Sequence, residues 1–218
     1  MEQRRPTVCW GGKGQAKVLH EFLPALGYQL IACFDNNPSL TSPLGDVPLV
    51  GDWSALADWR AAHHGSIYCI VAIGGAGCAR LEVQRRLSTF DLSPIVVVHP
   101  TAFVAADATL GAGTQVLALA AVCADAHLGE ACIVNTRASV DHECLIGNGV
   151  HIGPGATLCG EVQVDDCAFI GAGATILPRI HIGRGAIVGA GAVVVRDVPP
   201  DLCVTGVPAR VGDGRSSH

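Results

Sequence analysis

A six-residue repeat of aliphatic side chains runs through the second half of this sequence. Every sixth residue from Val98 to Val194 is Leu, Ile or Val, without a gap or an insertion. A second column, four positions further on, runs from Ala108 to Ala192 and consists mostly of small residues. A period of six fits neither the turn of an α-helix nor a coiled-coil heptad. The repeat therefore predicts a solenoid in which each hexad forms one short strand and one corner, and three hexads form one coil.

The stacking of such coils explains the residue types in both columns. Successive coils pair at the β-sheet spacing of about 4.8 Å, so equivalent aliphatic residues point inward and form continuous columns. The small residues point inward near the corners, where the tapering interior leaves little room. We therefore predict a left-handed parallel β-helix of hexapeptide repeats over residues 99–218, including a C-terminal tail.

The first 98 residues follow a different pattern, in which strands and helices alternate. Predicted strands cover residues 7–10, 30–34, 66–73 and 95–98, and predicted helices cover residues 15–26, 53–62 and 79–89. Residues 36–50 form a turn-rich connection with three prolines. This alternation predicts a small Rossmann-like α/β domain with a parallel sheet over residues 1–98.

Composition excludes several classes of protein. Hydrophobic residues make up 50% of the 218 residues and charged residues only 15%, which does not fit a disordered chain. The net charge of −5 and the lack of Lys or Arg clusters argue against a nucleic-acid partner. The longest aliphatic-rich run is about half the length of a membrane span, and the start of the chain does not fit a signal peptide. We therefore expect a cytoplasmic protein.

Ten cysteines are spread over the chain, and no two have the Cys-x-x-Cys spacing of a zinc ribbon or a redox motif. We interpret them as small hydrophobic residues in a reducing compartment. Cys144 falls in the inward column of small residues, so we expect burial to keep its thiol inert.

A glycine-rich turn follows the first predicted strand, at residues 11–14. Such a turn, followed by the N-terminus of a helix, can bind a phosphate. Asp35 ends the second strand, where a carboxylate can accept a hydrogen bond from a ribose hydroxyl. Lys17 replaces the third glycine of the dinucleotide motif, so a mononucleotide or a nucleotide sugar fits better. A purely structural turn is the alternative.

One histidine of the nine differs from the rest because carboxylates flank it. His142 lies between Asp141 and Glu143. A carboxylate beside an imidazole orients the ring and suits it to act as a general base near neutral pH. A solvated corner residue would show the same pattern, and a zinc ligand is a further alternative. No two histidines have the close spacing of the zinc sites known in β-helices of this kind, so we expect no metal.

Short segments spread over nearly the whole chain match one known family. They are residues 11–17, 34–36, 71–74, 99–100, 135–136, 140–144, 151–152 and 206–210. With them the chain resembles the bacterial sugar acetyltransferases of the sialic-acid O-acetyltransferase type, the NeuD/PglD-like family. Its best-understood members use acetyl-CoA to N-acetylate UDP- or GDP-linked 4-amino-4,6-dideoxy sugars for surface glycans. The hexads alone indicate only an acyltransferase-like protein.

The resemblance implies a role for individual residues. His142 would be the general base, and Glu143 would increase its basicity. Acetyl-CoA would contact His151, Gly160, Ala172 and Ala190, with the Gly160 amide directed at the thioester oxygen. The nucleotide sugar would be bound by Lys13, Gly14, Gln15, Asp35, Asn36 and Gly74. The acetyl-CoA groove would lie between neighbouring β-helices of a homotrimer.

Two residues depart from the family pattern, and both belong to the nucleotide site. Gln15 replaces a histidine and Asn36 replaces a second aspartate. These departures affect the predicted identity of the nucleobase and of the sugar, and they do not affect the predicted acetyl transfer. An O-acetyltransferase of a sialic-acid-like sugar is an alternative in the same class, and a non-catalytic nucleotide-sugar-binding scaffold is an alternative in another class.

Overall fold

The structure is a computed structural model and describes residues 4–212. The chain divides into two compact units. The first consists of the residues up to Gly74 together with Ala79–Val97, and the second consists of Gly75–Cys78 together with the residues from Val98 onward.

The first unit is an α/β fold with one parallel five-stranded sheet. In chain order its elements are β1 (Arg5–Trp10), α1 (Gly14–Phe22), a 3-10 helix (Leu23–Leu26), β2 (Tyr28–Phe34), β3 (Leu49–Gly51), α2 (Trp53–Ala62), β4 (Ile67–Val71), α3 (Ala79–Ser88) and β5 (Leu92–Pro94). The strand order is β3-β2-β1-β4-β5, so the chain reverses its direction of winding between β1 and β4.

The boundaries of these elements have local causes. The first helix is regular only to Phe22 and then tightens into the 3-10 helix, because Pro24 has no N–H to continue the α-helical pattern. Gly27 ends this segment with φ of 79°, a conformation that glycine adopts without strain. Asp52 caps α2 by accepting hydrogen bonds from the Ser54 and Ala55 N–H groups at 3.0 and 3.2 Å.

Two strand predictions in this unit need correction. The connection over residues 36–50 was expected to lack strands, but the short edge strand β3 begins at Leu49. The strand expected at residues 95–98 is β5 instead, at Leu92–Pro94, where Pro94 lies on the sheet edge. Val97–Val98 forms a separate strand that pairs within the solenoid, since the His99 N–H donates to the Val116 carbonyl at 2.8 Å.

The second unit is the predicted left-handed β-helix. Within the described residues, its coils contain seventeen two-residue strands. They are β6 (Val97–Val98), β7 (Phe103–Val104), β8 (Thr109–Leu110), β9 (Gln115–Val116), β10 (Ala121–Val122), β11 (His127–Leu128), β12 (Ile133–Val134), β13 (Ser139–Val140), β14 (Leu145–Ile146), β15 (His151–Ile152), β16 (Thr157–Leu158), β17 (Gln163–Val164), β18 (Phe169–Ile170), β19 (Thr175–Ile176), β20 (His181–Ile182), β21 (Ile187–Val188) and β22 (Val193–Val194). Each ends on one of the seventeen aliphatic residues of the repeat, as predicted.

These strands form three parallel sheets, one on each face of the coil. Face I begins with β6 and contains every third strand to β21, face II runs from β7 to β22, and face III runs from β8 to β20. Two further strands, β23 (Cys203–Thr205) and β24 (Arg210–Val211), extend face I. The aliphatic column is at most 4% exposed from Val116 to Val194, and the small residues pack beside it.

The corners impose a second period of six on the backbone. Every sixth residue from Gly113 to Gly191 has a positive φ, and eight of these fourteen residues are not glycine. Glycines that follow an inward aliphatic residue are required for a different reason, which is the close approach of the next coil. A Cβ at Gly171, for example, would lie 2.5 Å from the Ala190 nitrogen of the next coil.

We had expected all ten cysteines to be free thiols, but two of them are not. Cys78 and Cys167 form a disulfide within the second unit. Eight cysteines are free. The pairing joins residues 89 apart in sequence, and no local motif marks it. In residues 4–212, no helix is long and apolar enough to cross a membrane.

Candidate functional site

The first unit has a crevice where three loops meet at one edge of the sheet. These loops follow the carboxyl ends of β1, β2 and β4, and β1 lies between the other two strands. Gly74 lies on the third loop, just beyond β4. In open α/β sheets, ligands bind at the edge where the winding direction changes, which here is the crevice between β1 and β4.

The Asp35 carboxylate joins two of these loops. Its Oδ2 accepts a hydrogen bond from the Gly12 N–H at 2.8 Å, and its Oδ1 accepts one from the Asn37 N–H at 2.9 Å. Asp35 was predicted to bind a ribose, and each carboxylate oxygen retains a second lone pair for that purpose. The structure adds a role that the spacing alone did not reveal, because Asp35 also fixes the glycine turn.

The glycine turn brings the backbone close to the neighbouring loop and leaves the N-terminus of helix α1 exposed. Gly11 has φ of 116°, and a Cβ there would lie 2.6 Å from the Ala72 carbonyl oxygen. Helix α1 starts at Gly14 with the exposed Lys13 as its N-cap, and no side chain caps it. A Cβ at Gly14 would meet no atom within 4 Å. Gln15 occupies the next position of this first turn. The exposed turn therefore has the form of a phosphate-binding helix N-terminus.

Beside Asp35, the first unit contains a cavity of about 430 Å³. Leu40 and Leu49 supply apolar walls, and Asn36 and Asp52 supply polar groups. An apolar cleft with a few polar groups suits a flat ring such as a nucleobase. Asp35 and Asn36, which were predicted to bind the nucleotide sugar, thus lie on one cavity.

In the second unit, the predicted base lies at the corner between faces II and III, called corner II–III. His142 follows β13 on face II and precedes β14 on face III. Its Nδ1 is 3.0 Å from Glu143 Oε2, and the two side chains are 52% and 58% exposed. The backbone N–H of His142 donates to Asp141 Oδ1 at 2.8 Å. Both flanking carboxylates therefore hold the histidine, one by the ring and one by the backbone.

The bond to Glu143 determines which ring nitrogen can act as a base. If Nδ1 donates its proton to Glu143, then Nε2 carries the lone pair. Within residues 4–212, Nε2 has no hydrogen-bond partner. Glu143 itself occupies one of the positive-φ corner positions, with φ of 59°. The corner geometry thus turns consecutive side chains at 142 and 143 toward each other.

Gly160 lies one coil above His142 and packs against its ring. A Cβ at Gly160 would lie 2.4 Å from His142 Nε2 and 2.5 Å from its Cε1. The predicted role of Gly160 was to offer an amide, and its N–H donates to no group in the described part of the chain. Gly160 makes a second contribution by having no side chain, because this leaves room for the His142 ring. The sequence already indicated this contact between Gly160 and His142, because the two residues are one coil of 18 residues apart.

His151 lies elsewhere, on strand β15 of face I. It is only 6% exposed, its Nε2 is 3.1 Å from Asn135 Nδ2, and its ring meets Phe169 edge-on with centroids 5.0 Å apart. Sequence reasoning had assigned no role to Asn135, although the Asn135–Thr136 pair was among the matching segments. The structure identifies Asn135 as the residue that orients His151.

Ala172 and Ala190 lie on a third part of the β-helix, the corner between faces I and II, called corner I–II. They are one coil apart, and the Gly191 N–H donates to the Ala172 carbonyl at 2.8 Å. Corners I–II and II–III are the two opposite edges of face II. Within one chain, the structure therefore brings His142, Glu143 and Gly160 together but places Ala172 and Ala190 at the other edge.

The cysteine beside the candidate base is not a nucleophile. Cys144 is fully buried, and burial raises the pKa of its thiol to about 11. Its Sγ donates to the Cys159 carbonyl at 3.2 Å. The expected inertness of this thiol is consistent with its environment. Among residues 4–212, no three His, Cys, Asp or Glu residues are grouped so as to hold a metal ion.

Comparison with known proteins identifies relatives for both units. The family model for bacterial transferase hexapeptide (six repeats) matches residues 161–196. No curated protein matches the chain. Among solved structures, PerB from Caulobacter crescentus, in complex with CoA and GDP-perosamine, is 39% identical, with a TM-score of 0.88 over 95% of this chain and 97% of that chain.

Two further structures are similar over the same length. The acetyltransferase domain of PglB from Neisseria gonorrhoeae FA1090, in complex with acetyl coenzyme A, is 30% identical, with a TM-score of 0.84 over 95% of this chain and 99% of that chain. WeeI from Acinetobacter baumannii AYE is 26% identical, with a TM-score of 0.81 over 95% of this chain and 99% of that chain. The chain therefore belongs to the bacterial sugar acetyltransferases with hexapeptide repeats and is an acetyltransferase, as its motifs predicted.

Proposed function

We propose that this protein transfers the acetyl group of acetyl-CoA to the amino group of a UDP- or GDP-linked 4-amino-4,6-dideoxy sugar. The observation that carries the proposal is the His142–Glu143 pair, whose Nδ1–Oε2 distance of 3.0 Å leaves Nε2 open at an exposed corner. An amine acceptor needs such a base, because the nitrogen must lose a proton as it forms the amide.

In the proposed reaction the sugar amine attacks the thioester carbonyl of acetyl-CoA directly. His142 Nε2 accepts the proton that the amine nitrogen loses, and Glu143 stabilises the resulting imidazolium. The Gly160 N–H, which has no acceptor in residues 4–212, is available to bind the oxyanion. The carbon–sulfur bond then breaks and CoA leaves as a thiolate. No acyl-enzyme is required, which agrees with the buried state of Cys144.

The first unit binds the nucleotide in this proposal. The N-terminus of α1 at Lys13–Gly14 and the neighbouring Gln15 receive the diphosphate, and the cavity beside Asp35 and Asn36 receives the nucleoside. Gly74 contributes the third loop of the crevice. The similarity to PerB, which was solved with GDP-perosamine, supports an amino sugar linked to a nucleoside diphosphate.

The positions of the acetyl-CoA residues support assembly as a homotrimer. His142 and Gly160 lie at one edge of face II, whereas Ala172 and Ala190 lie at the other, with His151 on face I beyond it. A cyclic trimer brings two different patches of neighbouring copies together at each interface. We propose that corner II–III of one copy and corner I–II of the next form one acetyl-CoA groove.

A panel of acceptors tests the proposed activity. Purified protein is incubated with acetyl-CoA and UDP- or GDP-linked 4-amino sugars, with free sialic acids as the alternative acceptors, and products are analysed by mass spectrometry. We expect one amino sugar to gain a single acetyl group, and the matched His142→Asn variant to produce far less of it. Acetylation of a sialic acid instead would indicate an O-acetyltransferase, and turnover of no acceptor would favour a binding scaffold.

A further inference from the structure

The loop between β4 and α3 has few non-covalent contacts to hold it in place. It covers residues 74–78, is called loop 74–78, and contains three glycines. Gly77 has φ of 82°, and a Cβ at Gly75 or Gly77 would meet no atom within 4 Å. Within residues 4–212, Gly74, Gly75 and Ala76 form no hydrogen bond. A segment with this much glycine and this little packing changes its conformation easily unless another restraint acts on it.

The other two loops of the crevice are held by a hydrogen bond between them. The Gly12 N–H, on the loop after β1, donates to Asp35 Oδ2, on the loop after β2, at 2.8 Å. Loop 74–78 takes no part in this contact, although it begins with Gly74, a residue of the proposed nucleotide site. The restraint on loop 74–78 is covalent.

The disulfide between Cys78 and Cys167 supplies this restraint. It joins the last residue of loop 74–78 to the corner between faces III and I, and both cysteines belong to the second unit. Cys167 is only 4% exposed, and its N–H donates to the Asn148 carbonyl of the preceding coil at 2.8 Å. Asn148 is itself held, because its N–H donates to Asp166 Oδ1 at 2.6 Å. The loop is therefore tied to a point that stacked coils fix.

The two sulfur atoms differ in their access to a reductant. Cys78 is half-buried on an exposed loop, whereas Cys167 is buried. A dithiol reductant therefore attacks Cys78 Sγ, the sulfur–sulfur bond breaks, and Cys167 leaves as a thiolate that takes up a proton. The second thiol of the reductant then displaces Cys78 from the mixed disulfide. Two electrons and two protons pass to the protein, and the reductant becomes a disulfide.

The position of Cys78 also suits the reverse reaction. Cys78 directly precedes α3, and the partial positive charge at a helix N-terminus stabilises a thiolate. This thiolate attacks a small disulfide such as oxidised glutathione, which gives a mixed disulfide and releases one reduced glutathione. Cys167 then displaces the second glutathione, and the protein disulfide forms again.

We propose that the Cys78–Cys167 disulfide is a redox-sensitive fastening that holds loop 74–78 in place and thereby strengthens nucleotide binding. The inference rests on the proposed function, which assigns Gly74 to the nucleotide site. In the oxidised protein, the loop is already restrained when the nucleotide arrives. In the reduced protein, binding must order the loop, and ordering one backbone residue costs on the order of 10-fold in affinity.

Limited proteolysis measures the restraint without any ligand. The protein is treated with oxidised glutathione or with dithiothreitol and digested with a protease of broad specificity, and mass spectrometry follows cleavage within residues 74–78. We expect cleavage to be about 10-fold faster in the reduced wild type, because mobile loops are the preferred sites of nicking. Cys78→Ser should be cleaved rapidly after either treatment. The control Cys203→Ser, at a free and half-buried cysteine, should respond like the wild type. Equal cleavage of the wild type after both treatments would overturn the proposal.

Calorimetry with UDP and with GDP then measures the coupling to the nucleotide site. We expect the preferred nucleotide to bind about 10-fold or more weakly to the reduced wild type, and to Cys78→Ser after either treatment, while acetyl-CoA binds all forms equally. Equal nucleotide affinity in the two redox states, or an equal loss of acetyl-CoA affinity, would overturn the proposal. Failure of both nucleotides to bind the oxidised protein would contradict the proposed nucleotide site itself, and the coupling with it, which distinguishes the two failures.

Discussion

At the scale of single residues, His142 combines exposure with a fixed orientation. Replacing it with Ala removes the Nε2 lone pair but no core contact, because the side chain is half exposed at its corner. We expect kcat to fall roughly 10²- to 10⁴-fold, the usual contribution of a positioned general base, with little change in Tm. Steady-state kinetics and thermal melting measure both. His127→Ala is the control, because His127 is an exposed histidine paired with Asp125 on face III. Near-wild-type turnover in His142→Ala would show that this histidine is only a solvated corner residue.

Gly160 is a more selective probe of how the base is held. In Gly160→Ala the new Cβ requires His142 to move away from its position, since the two would otherwise be 2.4 Å apart. A displacement of about 1 Å at a reacting group can cost about 10²-fold in rate. We expect a fall in kcat of this order with KM for the sugar little changed. Gly45→Ala, at a glycine with open space around it, serves as the control. An unchanged kcat would mean that the ring position observed beside Gly160 does not matter to the reaction.

At the scale of elements, the loop after β2 joins the glycine turn to the proposed nucleotide site. Asp35→Ala removes both carboxylate oxygens that hold Gly12 and Asn37. We expect the affinity for the sugar nucleotide to fall roughly 10- to 100-fold and the affinity for acetyl-CoA to stay unchanged. Asp35→Asn keeps one acceptor oxygen and should lose less. Separate calorimetric titrations of the two ligands decide the matter, and an equal loss for both would point to general damage to the fold.

The same scale shows which elements a sequence can predict. All seventeen short strands follow from the aliphatic column, because every hexad buries its Leu, Ile or Val in the same environment. The edge strand β3 and the strand β5 were missed or displaced, because three residues on a sheet edge have no periodic signal of their own. The His142–Glu143 pair could be predicted because its members are adjacent. The contact of His142 with Gly160 requires the coil length, and the Cys78–Cys167 pairing requires the folded chain.

At the scale of the whole molecule, the distribution of the candidate residues is the basis for the proposed trimer. His142 and Gly160 lie at one edge of face II, and Ala172 and Ala190 lie at the other. In the proposed trimer, one edge meets the opposite edge of a second copy in a heterologous interface, which would complete the groove and close into a ring. The high fraction of hydrophobic residues, 50%, against 15% charged residues is in keeping with surface buried between copies.

Assembly of the site from two copies can be tested by complementation. Light scattering should give a mass three times that of the chain, and a stable monomer would contradict the trimer. His142→Ala and His151→Asn are then co-expressed with different tags, and the mixed trimers are purified. If each site takes His142 from one copy and His151 from the next, every mixed trimer has both histidines at one of its three sites, so activity returns although each variant alone is inactive. If both histidines of a site come from the same chain, every site in the mixture lacks one of them, and the mixed trimers remain as inactive as their parents.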